Sequence, residues 1–198
     1  MKKILRTFIA LSVAGCLLIP QAFAYWDLSV PSERQQNSNW CWAASSVSIA
    51  RYYSKAYLYY DYGILSTTQS NHVFAALGYV SNDGREAYEI RTDFSNLYNL
   101  SSTVAGGRIT RSAINTELQA GRPFIVGIQF VGLINISHHV VTICGIAPAA
   151  TYETLKEIEP WTGVTAWRPY SMYTGNFTYT SPYSSDPGNW CETIYQIQ

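Results

Sequence analysis

The stretch "NSNWCWAASS", residues 37–46, sets one cysteine between two tryptophans and follows it with small residues. From Trp40 to about Tyr53 the apolar spacing predicts a helix, with Ser38 or Asn39 in the N-cap position that favours a short polar side chain. Cys41, Ala44, Ser45 and Ser48 form a stripe of small residues, which allows close approach to a neighbouring element. Trp42, Ala43, Val47, Ile49, Ala50 and Tyr53 make most of the remaining surface apolar, the pattern of a central, buried helix. Cys41 then falls in the first turn, at the positive end of the helix dipole, where a thiol ionises more easily.

Working outward, residues 1–24 read as a signal peptide: Lys2, Lys3 and Arg6, an apolar run, then Pro20 and the small-x-small pattern Ala22-Phe23-Ala24. That run is shorter than the ~20 residues needed to span a bilayer, and no other stretch is apolar enough. The alternative is a lipoprotein anchored at Cys16, since "VAGC" is similar to a lipoprotein cleavage box. The expected localisation is therefore secreted or periplasmic, with one domain over residues 25–198. This mature part carries 10 basic and 13 acidic residues, a net charge of −3. Non-specific nucleic-acid binding, which needs clustered cations on phosphates, is disfavoured. All 16 Tyr and 6 Trp lie in the mature part and are read mainly as core.

Three cysteines remain, Cys41, Cys144 and Cys191, an odd number for an oxidising compartment. One pair and one free thiol is the simplest arithmetic. Downstream, "TRSAINTELQAG" has helical spacing and a Gly121 stop. "RPFIVGIQF", "HHVVTICGI", "TYETLKEIEPW" and "VTAWRPYSMY" read as four strands in succession. Residues 54–107 give mixed signals, with a short helix in "TTQSNHVFAALGYV" and turns at "NDG" and "AGG". A helix first and sequential strands later is an α+β class, with the cysteine helix packed on a C-terminal antiparallel sheet.

A thiol beside an imidazole is a nucleophile with its base, and the chain has three histidines: His72, His138 and His139. His72 reads as an ordinary surface or half-buried residue. Strand alternation sends His138 and His139 to opposite faces, so only one of them can face Cys41. Cys144 falls on the face opposite His139, free to form a Cys144–Cys191 disulfide. No cysteine or histidine pairs have zinc-ligand spacing, so no metal or other cofactor is expected.

Residues 35–45, "QQNSNWCWAAS", resemble the active-site segment of papain-like cysteine peptidases, in which Gln, five residues and then Cys-Trp-Ala-x-Ser open the central helix. Residues 139–146, "HVVTICGI", are similar to that family's His-Ala-Val-x-x-x-Gly-Tyr strand. The short spacing from cysteine to histidine, and "ELQAGRP" at residues 117–123, look closest to the short bacterial branch. That branch holds effector peptidases of plant pathogens and peptidases that process bacteriocin leaders. The likeness covers residues 35–167.

The resemblance implies roles. Cys41 would be the nucleophile and His139 its general base, then general acid. Gln35 would share the oxyanion with the Cys41 backbone N–H. The orienting residue departs from the pattern: Glu159-Pro160-Trp161 stands where the bacterial branch has Asp-Pro-Trp, and the added methylene lengthens its reach. Asp186 is the alternative acid, and Trp161 would shield the hydrogen bond. The expected activity is peptide-bond hydrolysis through a thioester, with a peptide or protein as substrate and an inhibitor or a host activating protein as further partner. Only about ten residues separate Tyr25 from Gln35, so no long inhibitory propeptide is expected. Two other readings stand beside this one: a catalytically silent peptide-binding module, and an amidase or isopeptidase with the same triad.

Overall fold

The helix α1 (Cys41–Tyr52) starts with the cysteine itself in the computed structural model, which describes residues 25–131, 136–148, 153–174, 179–181 and 184–198. Trp40, not Ser38 or Asn39, occupies the N-cap, and it offers no side-chain cap. The first N–H groups of α1 therefore lack the capping acceptor that most helices supply. Residues 41–50 are all buried, as the nearly all-round apolar surface demands.

The mixed region resolves into a hairpin, β2 (Tyr57–Tyr60) with β3 (Gly63–Ser66), then α2 (Gln69–Leu77) and α3 (Ala87–Tyr98). Thr68 caps α2 by accepting from the Asn71 N–H, and Gly78 ends it in the left-handed conformation that glycine tolerates. A reciprocal capping box of Glu86 and Glu89 starts α3. Next come β4 (Thr103–Gly106) and α4 (Arg111–Gln119), whose Thr110 N-cap accepts from Ala113 N–H.

The expected strand succession is present as β5 (Phe124–Val131), β6 (Ile136–Ala147), β7 (Thr154–Glu159) and β8 (Val164–Pro169). "YSMY" does not prolong β8, because a 3-10 turn spans Tyr170–Tyr173. The chain ends in β9 (Tyr179–Ser181) and β10 (Ser184–Tyr195). Antiparallel pairing runs β4-β10-β5-β6-β7-β8, with β1 (Trp26–Asp27) on β6 and β9 on β10. The last long strand therefore inserts between β4 and β5.

Alternation along β5 builds a core on each face of the sheet. Ile125, with Ile194 and partly buried Val140, joins the cluster of Trp40, Trp42, Ile49, Ile90 and Phe94 under α1 and α3. Phe124, Val126, Ile128 and Phe130 join Ile114, Leu118, Val141, Ile143, Tyr173 and Trp190 on the other face. At the α4–β5 turn, Arg122 donates twice to buried Glu117, at 2.9 Å each, and the Gln196 N–H donates to the same carboxylate at 3.0 Å. "ELQAGRP" is thus a staple that also holds the C-terminal strand.

The expected Cys144–Cys191 disulfide is absent, and all three described cysteines are free. Strand parity speaks to the face and says nothing of distance, and the strand is bulged at Cys144. Cys144 lies on β6 and Cys191 on β10, with β5 between them, which separates them by about 10 Å across the sheet. Cys144 follows the Ile143↔Phe124 pair and Cys191 sits at the bulge beside Gly127, a further offset of about 13 Å along β5. A disulfide needs Cα atoms within about 7 Å. Each thiol instead bonds a neighbouring strand: Cys144 to the Lys156 carbonyl at 3.7 Å and Cys191 to the Gly127 carbonyl at 3.3 Å. Titration of the denatured, unreduced chain from residue 25 onward should therefore find three thiols, and one would contradict this placement.

His72 also departs from expectation, being fully buried on α2. Its Nδ1 lies 2.7 Å from the Tyr98 hydroxyl, and its ring packs on Trp42 and Tyr98 with centroids 5.1 and 5.5 Å away. Burial, aided by the charge of Arg85, pushes its pKa down to about 3. Between pH 6.5 and about 3 the unfolded chain carries a proton on this residue that the folded chain does not. Stability is thus fully present above pH 6.5 and falls as pH drops, by up to about 1.4 kcal/mol per unit. Urea unfolding at pH 7, 5 and 4 should show a shallower acid loss for His72→Gln than for the native chain; equal slopes would rule out this residue as the cause.

Candidate active site

The two tryptophans beside Cys41 have a shared purpose. The Trp40 indole N–H donates to the Ser81 carbonyl at 2.6 Å and that of Trp42 to the Asp83 carbonyl at 3.0 Å. Asn82 between them accepts from Asn39 N–H at 2.9 Å, takes the Asn39 amide on its carbonyl at 2.7 Å, and donates to Ser38 Oγ at 2.8 Å. Loop 81–83 thus grips the turn that delivers Cys41 at both ends. "SNDG" is a turn signal, but nothing local in it points to this partner.

Gln35 lies in a segment that is equally fixed. Buried Gln69 on α2 donates to the Arg34 carbonyl at 2.8 Å and accepts from Gln36 N–H at 3.0 Å, so one side chain brackets Gln35. The Gln35 backbone N–H donates to the Pro160 carbonyl at 2.8 Å, which ties the segment to the β7–β8 turn. The Gln35 side-chain amide donates to the Asn37 and Ser38 carbonyls, both at 2.8 Å. Its two donors are therefore satisfied within the turn before Cys41.

His139 and His138 separate as alternation requires. His138 is exposed, with Nε2 3.1 Å from Gln129 Nε2. His139 is fully buried, with Nε2 2.6 Å from Glu159 Oε1. The same Glu159 oxygen accepts from Trp161 N–H at 2.9 Å. The longer glutamate is accommodated by its turn, in which Gly163 N–H returns to the Glu159 carbonyl at 2.8 Å. Gly163 has φ of +70°, and an added Cβ would meet Arg34 Cβ at 2.9 Å, so only glycine fits there. Asp186, the alternative acid, lies on β10 in a stretch whose side chains are outside the described residues.

The Cys41 side chain lies close enough to the His139 ring to favour its protonated form. With Nε2 committed to Glu159, Nδ1 is the nitrogen that faces the thiol. Burial alone would lower the pKa of His139; hydrogen bonds and negative charge from Cys41 and Glu159 outweigh it and push it up to about 10. The imidazolium is thus the favoured form at neutral pH. Cys144 and Cys191 have no such neighbour, and burial raises them to about 12 and about 11.

Cys41, His139 and Glu159 come from one helix end and two adjacent strands and converge on one site. Cys41 N–H, at the first position of α1, has no intrahelical acceptor and is available to an oxygen beside the sulfur. Cys41 and His139 line a cavity of about 520 Å³. Among the described residues no group of three histidine, cysteine or acidic side chains could hold a metal ion, and no helix is long and apolar enough to cross a membrane.

Comparison with known proteins bears on the family and the fold. Residues 25–177 match the family model described as papain-like cysteine protease AvrRpt2. No curated protein matches the sequence significantly. Among solved structures, active wild-type interpain A cysteine protease of Prevotella intermedia aligns with a TM-score of 0.58 at 12% identity, over 86% of this chain and 94% of that one. UfSP from C. elegans aligns with a TM-score of 0.50 at 14% identity, over 92% of this chain and 36% of that one. At such identities the structural likeness concerns the fold. The family match spans most of the sequence and contains Cys41, His139 and Glu159, so the chain belongs to the AvrRpt2 family of papain-like cysteine proteases.

Proposed function

We propose that Cys41, His139, Glu159 and Gln35 carry the peptidase reaction, hydrolysing peptide bonds through a thioester on Cys41. The observation that supports this reading is the placement of the Cys41 thiol beside the His139 ring, whose Nε2 is held by Glu159, at one cavity. The Cys41 sulfur attacks the carbonyl carbon; the C–S bond forms and the carbonyl electron pair moves onto oxygen. That oxygen is held by Cys41 N–H and by one Gln35 N–H released from the Asn37 or Ser38 carbonyl. The His139 Nδ1 proton passes to the leaving nitrogen as the C–N bond breaks. Water then gives a proton to Nδ1, its oxygen bonds to the thioester carbon, and the C–S bond breaks. Glu159 keeps the ring oriented and its charge balanced throughout.

We propose further that the enzyme is exported, on the strength of the signal pattern in residues 1–24, which lie outside the described residues. Its substrate is a peptide or protein. Incubation with an epoxysuccinyl inhibitor, followed by digestion and mass mapping, tests the assignment. One adduct on Cys41, with parallel loss of peptide cleavage, is the expected result. An adduct on Cys144 or Cys191, or cleavage that persists in fully labelled enzyme, would contradict it.

A further inference from the structure

The cavity that Cys41 and His139 line is also lined by three carboxylates, Glu86 and Glu89 at the start of α3 and Glu192 on β10. Arg85 is the single guanidinium among the lining residues, and it is already spent. Asp93 takes it through two bonds of 2.9 and 2.7 Å, and Glu89 lies 3.3 Å from it. Glu86 and Glu89 are tied to each other's backbone in the capping box. Glu192 differs from both: among the described residues, the hydrogen-bond contact its carboxylate makes is one of 4.0 Å from the Cys191 thiol. Among the described residues no lysine or arginine forms an ion pair with it.

Its position is built by a glycine. Glu192 pairs with Gly127 of β5, and a Cβ on Gly127 would stand 2.8 Å from Glu192 Cγ. The glutamate stem thus lies over the bare backbone of Gly127, another residue of the cavity wall. Burial and the nearby Glu86 charge raise the Glu192 carboxyl pKa, with His138 acting against them. A half-buried carboxylate without a cation is costly, and a cation brought by the substrate removes that cost.

We propose that Glu192 makes this cleft select a lysine or arginine side chain next to the bond that is cut. The inference rests on the proposed function only in placing the cut at Cys41; the preference for a cation is a property of the cleft and survives in a protein that does not cleave.

The test therefore reads binding and cleavage separately. An N-acetylated peptide library with each position varied is presented to the native enzyme. Paired peptides, one with lysine or arginine at the selected position and one with leucine, are then titrated onto Cys41→Ala and Cys41→Ala/Glu192→Gln. The expected result is a basic preference at one position, in cleavage and in binding, that falls about tenfold or more in ratio when Glu192 becomes Gln. Glu192→Lys should turn the preference toward acidic peptides. Equal binding of the paired peptides to Cys41→Ala, or a ratio unchanged by Glu192→Gln, overturns the proposal. A Glu192-dependent gain seen only for peptides with a free N-terminus also overturns it, since the cation would then be the terminal ammonium. Retained basic preference in binding without Cys41-dependent cleavage contradicts the catalytic reading and leaves the cleft assignment standing.

Discussion

Cys41→Ala is expected to lower kcat/KM at least about 10⁴-fold while leaving the protein folded. The sulfur is the only atom of the site that forms a bond to the substrate carbon in the proposed reaction, and neither other thiol among the described residues can replace it. Cys144 and Cys191 are held as neutral thiols by burial, well up at about 12 and about 11, and each is bonded to a backbone carbonyl within the sheet. Cys41 is nearly buried, and alanine removes one atom from a helix otherwise packed by Trp42, Ala43 and Val47. Circular dichroism should show the same helix content and a melting temperature close to that of the native enzyme. Residual turnover within tenfold of the native value would remove Cys41 from its role.

Glu159→Gln should produce the second largest loss, about 10²- to 10⁴-fold in kcat/KM at neutral pH. Glu159 Oε1 accepts from both the His139 ring and Trp161 N–H, and its negative charge helps to hold the imidazolium near pH 10. An amide keeps one acceptor oxygen but removes the charge. The imidazolium then loses its proton at a lower pH, so the alkaline limb of the kcat/KM profile moves down. Its direction distinguishes an orienting carboxylate from a merely structural one, because a packing defect would lower the rate without moving the limb. An unchanged limb, with a rate within threefold of the native enzyme, would return the search to Asp186.

The parts of this molecule that could be read locally are those set by short-range pattern. Trp40 to Tyr53 has one strong period, and the structure places α1 within a residue or two of it. Strands β5 to β8 follow alternation and turn residues, and the same alternation distinguishes buried His139 from exposed His138. Pairings between distant segments were not legible. Strand β10 carries Pro187, Gly188 and a bulge near Cys191 that break its period, and its insertion between β4 and β5 has no local signal. The disulfide expectation failed for the same reason, since parity reports a face and not a separation. The short helix expected in residues 67–80 is present as α2, but Gln69 on it and Asn82 beyond it act by gripping residues 34–39, many positions away. Helix α3 starts with Glu86 and Glu89, a capping box without the usual serine or threonine, so its start carries no familiar local signal.

The thiol between two tryptophans is placed, in this account, to be the reactive one of three. Pulse alkylation of the native chain with iodoacetamide at pH 7, followed by peptide mapping, measures this directly. The account predicts that Cys41 reacts about 10²-fold or more faster than Cys144 and Cys191, and that His139→Ala abolishes the advantage. Equal rates at the three cysteines, or a Cys41 rate indifferent to residue 139, would contradict it.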